Sequence, residues 1–234
     1  MHILVIDGGH VEAEFRAKFG PGHEYTFFSI DSEVELTEAE DGGYFNRNLE
    51  AAVAKSGVVF DFPGLLHLQG GMPLPSRQPI FQEMSGAADS SPVLSGAICF
   101  GFCGLPTLLN RSLLEVSLYN EANRTKLAET CAALGTDYRV VEDRVGLVTP
   151  RVICQIINEA CFTLQEGTAS MQDIDLSMRL GANYPRGPFA WANAIGVERV
   201  YAVLEALWHD THDERYKVCP LLKRQALRGE PFSV

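Results

Sequence analysis

The chain has 234 residues, 46% of them hydrophobic and 21% charged, enough for one large or two small cores. Its formal charge of −11, with no Lys/Arg cluster, removes the usual electrostatic basis for nucleic-acid binding, although a polyanion could still use a local patch. No apolar run approaches the eighteen or so residues of a membrane span, and the N-terminus MHILVIDGG reads as a buried strand rather than a cleavable leader, so a cytoplasmic protein is expected.

The six cysteines (Cys99, Cys103, Cys131, Cys154, Cys161, Cys219) form no CxxC pair and lie mostly in apolar surroundings, which predicts reduced core thiols and no metal site. His209 and His212 flank Asp210 and neighbour Asp213. They fall at a helix C-terminus, where a histidine also suits the dipole without any metal.

In chain order, His2–Ile6 is a strand, Asp7-Gly8-Gly9 a tight turn, and Val11–Phe19 a helix stopped by Gly20-Pro21. A second strand spans Tyr25–Ile30 and ends on Asp31, a helix covers Asn46–Lys55, and a third strand covers Gly57–Phe62. Strands alternating with helices imply a parallel sheet. Gly64–Ser95 is rich in Gly, Pro and Ser and reads as loops around one short helix near Pro79–Met84. Strands follow at Ala97–Phe102 and Leu113–Leu118, then a helix Glu121–Leu134 stopped by Gly135, and a last strand Tyr138–Glu142.

The first domain is expected to comprise residues 1–143. Residues 144–234 read as helical throughout, opening with Thr149 as N-cap and Pro150 at the first helical position. Ile153, Ile156, Ile157, Ala160, Cys161 and Leu164 form one apolar face, and Ser170 with Asp173 forms a capping box for a helix ending at Gly181. Further helices are expected near Pro188–Ala194, Val197–His209 and Leu221–Arg228.

The segment Asn158–Glu230 resembles the 3-hydroxyacyl-CoA dehydrogenase family nearly end to end. The likeness rests on Asn158-Glu159-Ala160, Glu166-Gly167, Asp173-Ile174-Asp175, the turn Tyr184-Pro185-Arg186-Gly187-Pro188-Phe189, Ile195-Gly196, Asp213-Glu214-Arg215-Tyr216 and Leu221-Leu222. It continues upstream through Leu114-Glu115-Val116, Val140-Val141-Glu142-Asp143, Gly146 and Arg151, about half the chain in all. The resemblance implies a Rossmann-like α/β domain, here truncated and with a mostly parallel sheet, followed by an all-α dimerisation domain. It further implies NAD as cofactor, an acyl-CoA ligand, a homodimer, and hydride transfer between a 3-hydroxyacyl-CoA and NAD in fatty-acid metabolism.

The departures concern the chemistry. A dinucleotide turn needs GxGxxG for tightness, phosphate approach and helix packing. Here Asp7 stands at the first glycine, Gly9 at the second and Glu12 at the third. Gly8 and Gly9 remain the candidate phosphate-binding residues, and Asp31, about twenty residues on, the candidate ribose ligand or else a turn residue. Carboxylates around that helix start oppose an anion, so NAD binding is expected to be weak or absent. The family's base is a histidine oriented by a glutamate. Glu115 fits the glutamate, whereas Phe100 falls at the histidine position and Pro150 replaces an active-site Asn. Turnover is therefore expected to be weak or absent unless His67 or His10 acts as a relocated base. The alternative is a non-catalytic dimeric binding or scaffold protein on the same fold.

Overall fold

The computed structural model describes residues 1–30, 37–38, 44–45, 47–63, 78–86 and 97–234. Two compact units emerge: Met1–Met84, Ser90–Gly104 and Leu109–Asp143 form one, and Ser85–Asp89, Leu105–Leu108 and Arg144–Val234 the other.

The first unit runs β1 (His2–Ile6), α1 (Glu12–Phe19), β2 (Glu24–Phe28), a short antiparallel pair β3 (Thr37–Glu38) and β4 (Tyr44–Phe45), α2 (Arg47–Lys55), β5 (Val58–Asp61), β6 (Ile80–Glu83), β7 (Cys99–Phe102), β8 (Leu113–Leu118), α3 (Arg124–Leu134) and β9 (Asp137–Val141). The main sheet has the order β2-β1-β5-β6-β7-β8-β9, parallel except where β7 meets β8. A mostly parallel sheet is thus observed, as expected. A doubly wound sheet of the dinucleotide-binding kind carries a third strand outside the second, but among the described residues β2 is the edge.

Burial explains why these short runs become strands. Ile3–Ile6 and Val58–Phe60 are fully buried, the continuous apolar signature of parallel strands covered on both faces. One face packs under α1 and α3 through Phe15, Phe60, Phe81, Phe100, Phe102, Leu127 and Cys131. Leu4, Ile6, Val59 and Ile80 pack on the other, against Leu49 and Val53 of α2. Gly135, at φ 71°, closes α3, the left-handed cap that glycine adopts at least cost.

One element differs from its expected type. The helix expected near Pro79–Met84 is the strand β6, with Phe81 paired to Phe60 on one side and Phe100 on the other. Four residues between two ready ladders gain more from inter-strand bonding than from one helical turn. A central strand buried on both faces also leaves no alternation to read.

The second unit contains α4 (Thr149–Gln165), α5 (Met171–Gly181), α6 (Pro188–Ile195), α7 (Val197–Thr211) and α8 (Pro220–Arg228). Ser170 caps α5 as expected: its hydroxyl accepts from the Asp173 N–H at 3.2 Å and donates to the Asp173 carboxylate at 2.6 Å. α4 differs by one residue. Its N-cap is Val148, which offers no side-chain bond, and Thr149 is already helical with Pro150 beside it. None of the described helices is long and apolar enough to cross a membrane.

Candidate functional site

In an open α/β sheet the ligand crevice lies where strand order reverses, beyond the carboxyl ends of the strands. Here that point lies between β1 and β5, and the residues leaving those strands are Asp7-Gly8-Gly9 and Phe62. Asp7 adopts φ 51°, a left-handed conformation that explains why the pattern asks for glycine there. Its backbone N–H donates to Phe28 O, and its Oδ1 accepts from the Ile30 N–H at 2.8 Å. The carboxylate thus ties the turn to the end of β2.

Gly8 serves a neighbour rather than a phosphate. A Cβ built there would lie 2.6 Å from the Phe62 ring and 2.4 Å from Val5, whereas one on Gly9 would meet nothing within 4 Å. Gly104, following β7, makes room for the same ring, since its Cβ would lie 2.5 Å from Phe62. The phenyl ring is therefore held between two glycine backbones and packs edge-on against His10 at 5.3 Å and Phe102 at 5.5 Å. Of the two candidate glycines, Gly8 is committed to Phe62 and Gly9 is exposed.

The start of α1 is no freer for an anion. Glu12 and Glu14 occupy its first turn, where their charge already complements the helix dipole. Glu12 bonds Arg16 at 2.8 Å and Glu14 accepts from Asn110 N–H at 3.4 Å. Each carboxylate at this turn has a local partner, and Asp7 and Glu12 stand where two of the three glycines of a dinucleotide turn would. Asp31 and His67 lie outside the described residues, as does most of the Gly64–Ser95 loop segment.

Phe100 is wholly buried in the middle of β7, its ring 5.2 Å from that of Phe81, so it is a core residue and not at the strand's carboxyl edge. That edge is left by Cys103, which follows Phe102; Phe102 pairs with Val116, next to Glu115. Glu115 is half-buried and pairs in register with Arg139. Pro150 is buried in the first turn of α4.

The thiols behave as core groups: none of the six forms a disulfide, and burial pushes Cys99 and Cys131 up to about 12, so both stay protonated and unreactive near neutrality. His209 lies 3.9 Å from Glu205, and His212 packs near Trp208. Among the described residues no cluster of His, Cys, Asp and Glu could hold a metal.

The residues that carry the family likeness hold the helical unit together. Asn158 is 3% exposed; its carboxamide accepts from Cys219 N–H at 2.8 Å and donates to Lys217 O at 3.0 Å, tying α4 to the segment before α8. Asp175 of α5 accepts from the N–H groups of Phe189 and Ala190, capping α6 from a neighbouring helix. Gly187 is required there, because its Cβ would meet Asp175 at 2.2 Å. Arg151 donates to Tyr216 Oη at 2.6 Å and Val145 O at 2.7 Å, and Asn193 exchanges two bonds with Phe232. None of these partners could be read from spacing alone, although a polar residue inside an apolar helical stripe, as at Asn158, is the signal that points to such a staple.

Residues 146–231 match the model of the 3-hydroxyacyl-CoA dehydrogenase C-terminal domain. The chain is 48% identical over 87 residues to 3-hydroxyadipyl-CoA dehydrogenase of Escherichia coli K12, covering 37% of this chain and 18% of that protein. It is 36% identical over 101 residues to 3-hydroxybutyryl-CoA dehydrogenase of Bradyrhizobium diazoefficiens, covering 43% and 34%. The match thus spans 18% and 34% of the two relatives' own lengths. The solved (S)-3-hydroxybutyryl-CoA dehydrogenase of Ralstonia eutropha aligns over 97% of this chain and 94% of its own, with a TM-score of 0.66 at 21% identity, so the fold extends through both units. Residues 146–231 thus match the C-terminal domain of 3-hydroxyacyl-CoA dehydrogenases, and the chain as a whole shares the fold of a solved 3-hydroxybutyryl-CoA dehydrogenase.

Proposed function

We propose that this protein is a family member in which hydride transfer between a 3-hydroxyacyl-CoA and NAD is weak or lost, and which acts as a dimeric binding protein. The observation that carries this reading is the turn after β1, where Asp7 and Glu12 put carboxylates at two of the three glycine positions of a dinucleotide turn. The chemistry supports it. Cys99–Pro106, where the resemblance places the base, holds no histidine, Pro150 can neither accept nor donate a proton, and losing a positioned general base forfeits on the order of 10² to 10⁴ in rate. Glu115 favours the second reading, a divergent but active dehydrogenase, because it stays half-buried near the carboxyl edge of β7.

One assay separates them. With acetoacetyl-CoA and NADH the purified protein is expected to oxidise almost no NADH, and calorimetry with NAD to give no saturable heat. Turnover at an ordinary enzyme rate of about 1 to 10³ per second, lost in His10→Ala or His67→Ala, overturns the proposal.

The helical unit is the proposed dimer surface. Both α4 and α7 are amphipathic, but α7 spends Val200, Val203, Leu204 and Leu207 inside its own unit. α4 and α5 instead line a groove of about 370 Å³ with Ile156, Ala160, Ile174 and Met178. Val148 and Val152, about half exposed, extend its α4 side by helical spacing. Residues 144–234 carry 10 acidic and 10 basic residues, so two such units meet without net repulsion. Val152→Glu is expected to turn a dimer in light scattering into a monomer.

A further inference from the structure

A second opening in the helical unit, of about 570 Å³, lies beside α5 and the turn leading into α6, away from the α4–α5 groove. That size is ordinary for a small-molecule site. Its charged lining is Asp173, Asp175, Arg179 and Arg186, with Leu176 and Val234 among its apolar walls. The four charges are not equally available. Asp173 sits in the first turn of α5 and is bonded to Ser170. Asp175 gives both oxygens to the first amides of α6 at 2.8 and 3.0 Å. Each carboxylate is thus matched by a helix N-terminus. Among the described residues the guanidinium groups of Arg179 and Arg186 meet no carboxylate within ion-pair distance, unlike Arg16, Arg124, Arg199 and Arg215. Leu176 beside them is 45% exposed.

We propose that this opening binds a small phosphate ester with an apolar tail, its phosphate held by Arg179 and Arg186 and its tail against Leu176. Guanidinium pairs suit phosphate because their donors match its oxygens two at a time. The site goes beyond the reading of the dinucleotide crevice and uses none of its residues.

Phenyl phosphate is the probe, titrated calorimetrically against the full chain, with phenol and inorganic phosphate as its two halves. Phenyl phosphate is expected to bind more tightly than either half. Arg179→Ala and Arg186→Ala should each weaken it roughly tenfold, the worth of one charged hydrogen bond. Both side chains are exposed, so folding should persist, and an unchanged melting temperature checks this. Arg228→Ala, on α8, should leave the affinity intact. The proposal is overturned by three results: no saturable binding, equal affinity in the double variant, or an equal loss in Arg228→Ala. NADH turnover, whether present or absent, does not bear on it.

Discussion

The first 143 residues carry 20 acidic against 9 basic residues, and the remainder carries 10 of each. In the first unit, the residues of the turn are engaged locally: Asp7 with Ile30, Glu12 with Arg16, and Gly8 with Phe62. In the second, Asn158, Asp175, Arg151 and Asn193 each bridge two parts of the bundle. The family likeness is therefore dense where side chains hold one another and thin where they would hold a ligand. Sequence identity to an enzyme, when it falls on staples and caps, speaks for a fold before it speaks for a reaction.

The sharpest way to break this contrast lies in the aromatic core. Phe100→Ala should cost about 3–5 kcal/mol, as emptying a fully buried phenylalanine site does. The measurement is denaturant unfolding. A loss under about 1 kcal/mol would return Phe100 to the list of site residues.

In the helical unit, Asn158→Ala should cost about 2–3 kcal/mol, because the Cys219 amide and the Lys217 carbonyl would each lose a buried partner. An Asn158→Asp variant keeps the acceptor for Cys219 but loses the donor to Lys217, so it should fall between wild type and alanine. If Asn158→Ala unfolds like the wild type, the bundle does not depend on this staple, and the likeness at this position needs another cause.

A finer test concerns which glycines matter. Gly104→Ala should cost about 1–3 kcal/mol by crowding Phe62, the usual range for overpacking. Gly9→Ala, with open space around it, should change stability by under about 0.5 kcal/mol. Phe62→Leu should recover part of the Gly104→Ala loss in a double-mutant cycle, since the two sites share one contact. Additive losses in that cycle would show that the ring is not wedged between the strand ends as described.

Local chemistry made much of this legible in the sequence. β1 and β8 begin and end at His2–Ile6 and Leu113–Leu118 as expected, and the Ser170–Asp173 cap and the stop at Gly135 follow from backbone preferences that a few adjacent residues carry. The mostly parallel sheet and the missing first glycine of the turn were also visible, since strand–helix alternation and a missing glycine are local facts. What only the tertiary structure decided involves residues far apart in the chain. β6 is a strand because Phe60 and Phe100 flank it, and no pattern within four residues encodes a neighbour twenty positions away. Phe62 closes the turn at Gly8 from another strand, and Gly104 yields to it from a third. Phe100 proved to be core because alignment by counting fixes order along the chain but not which face of a strand a side chain takes, and that face is set by sheet register.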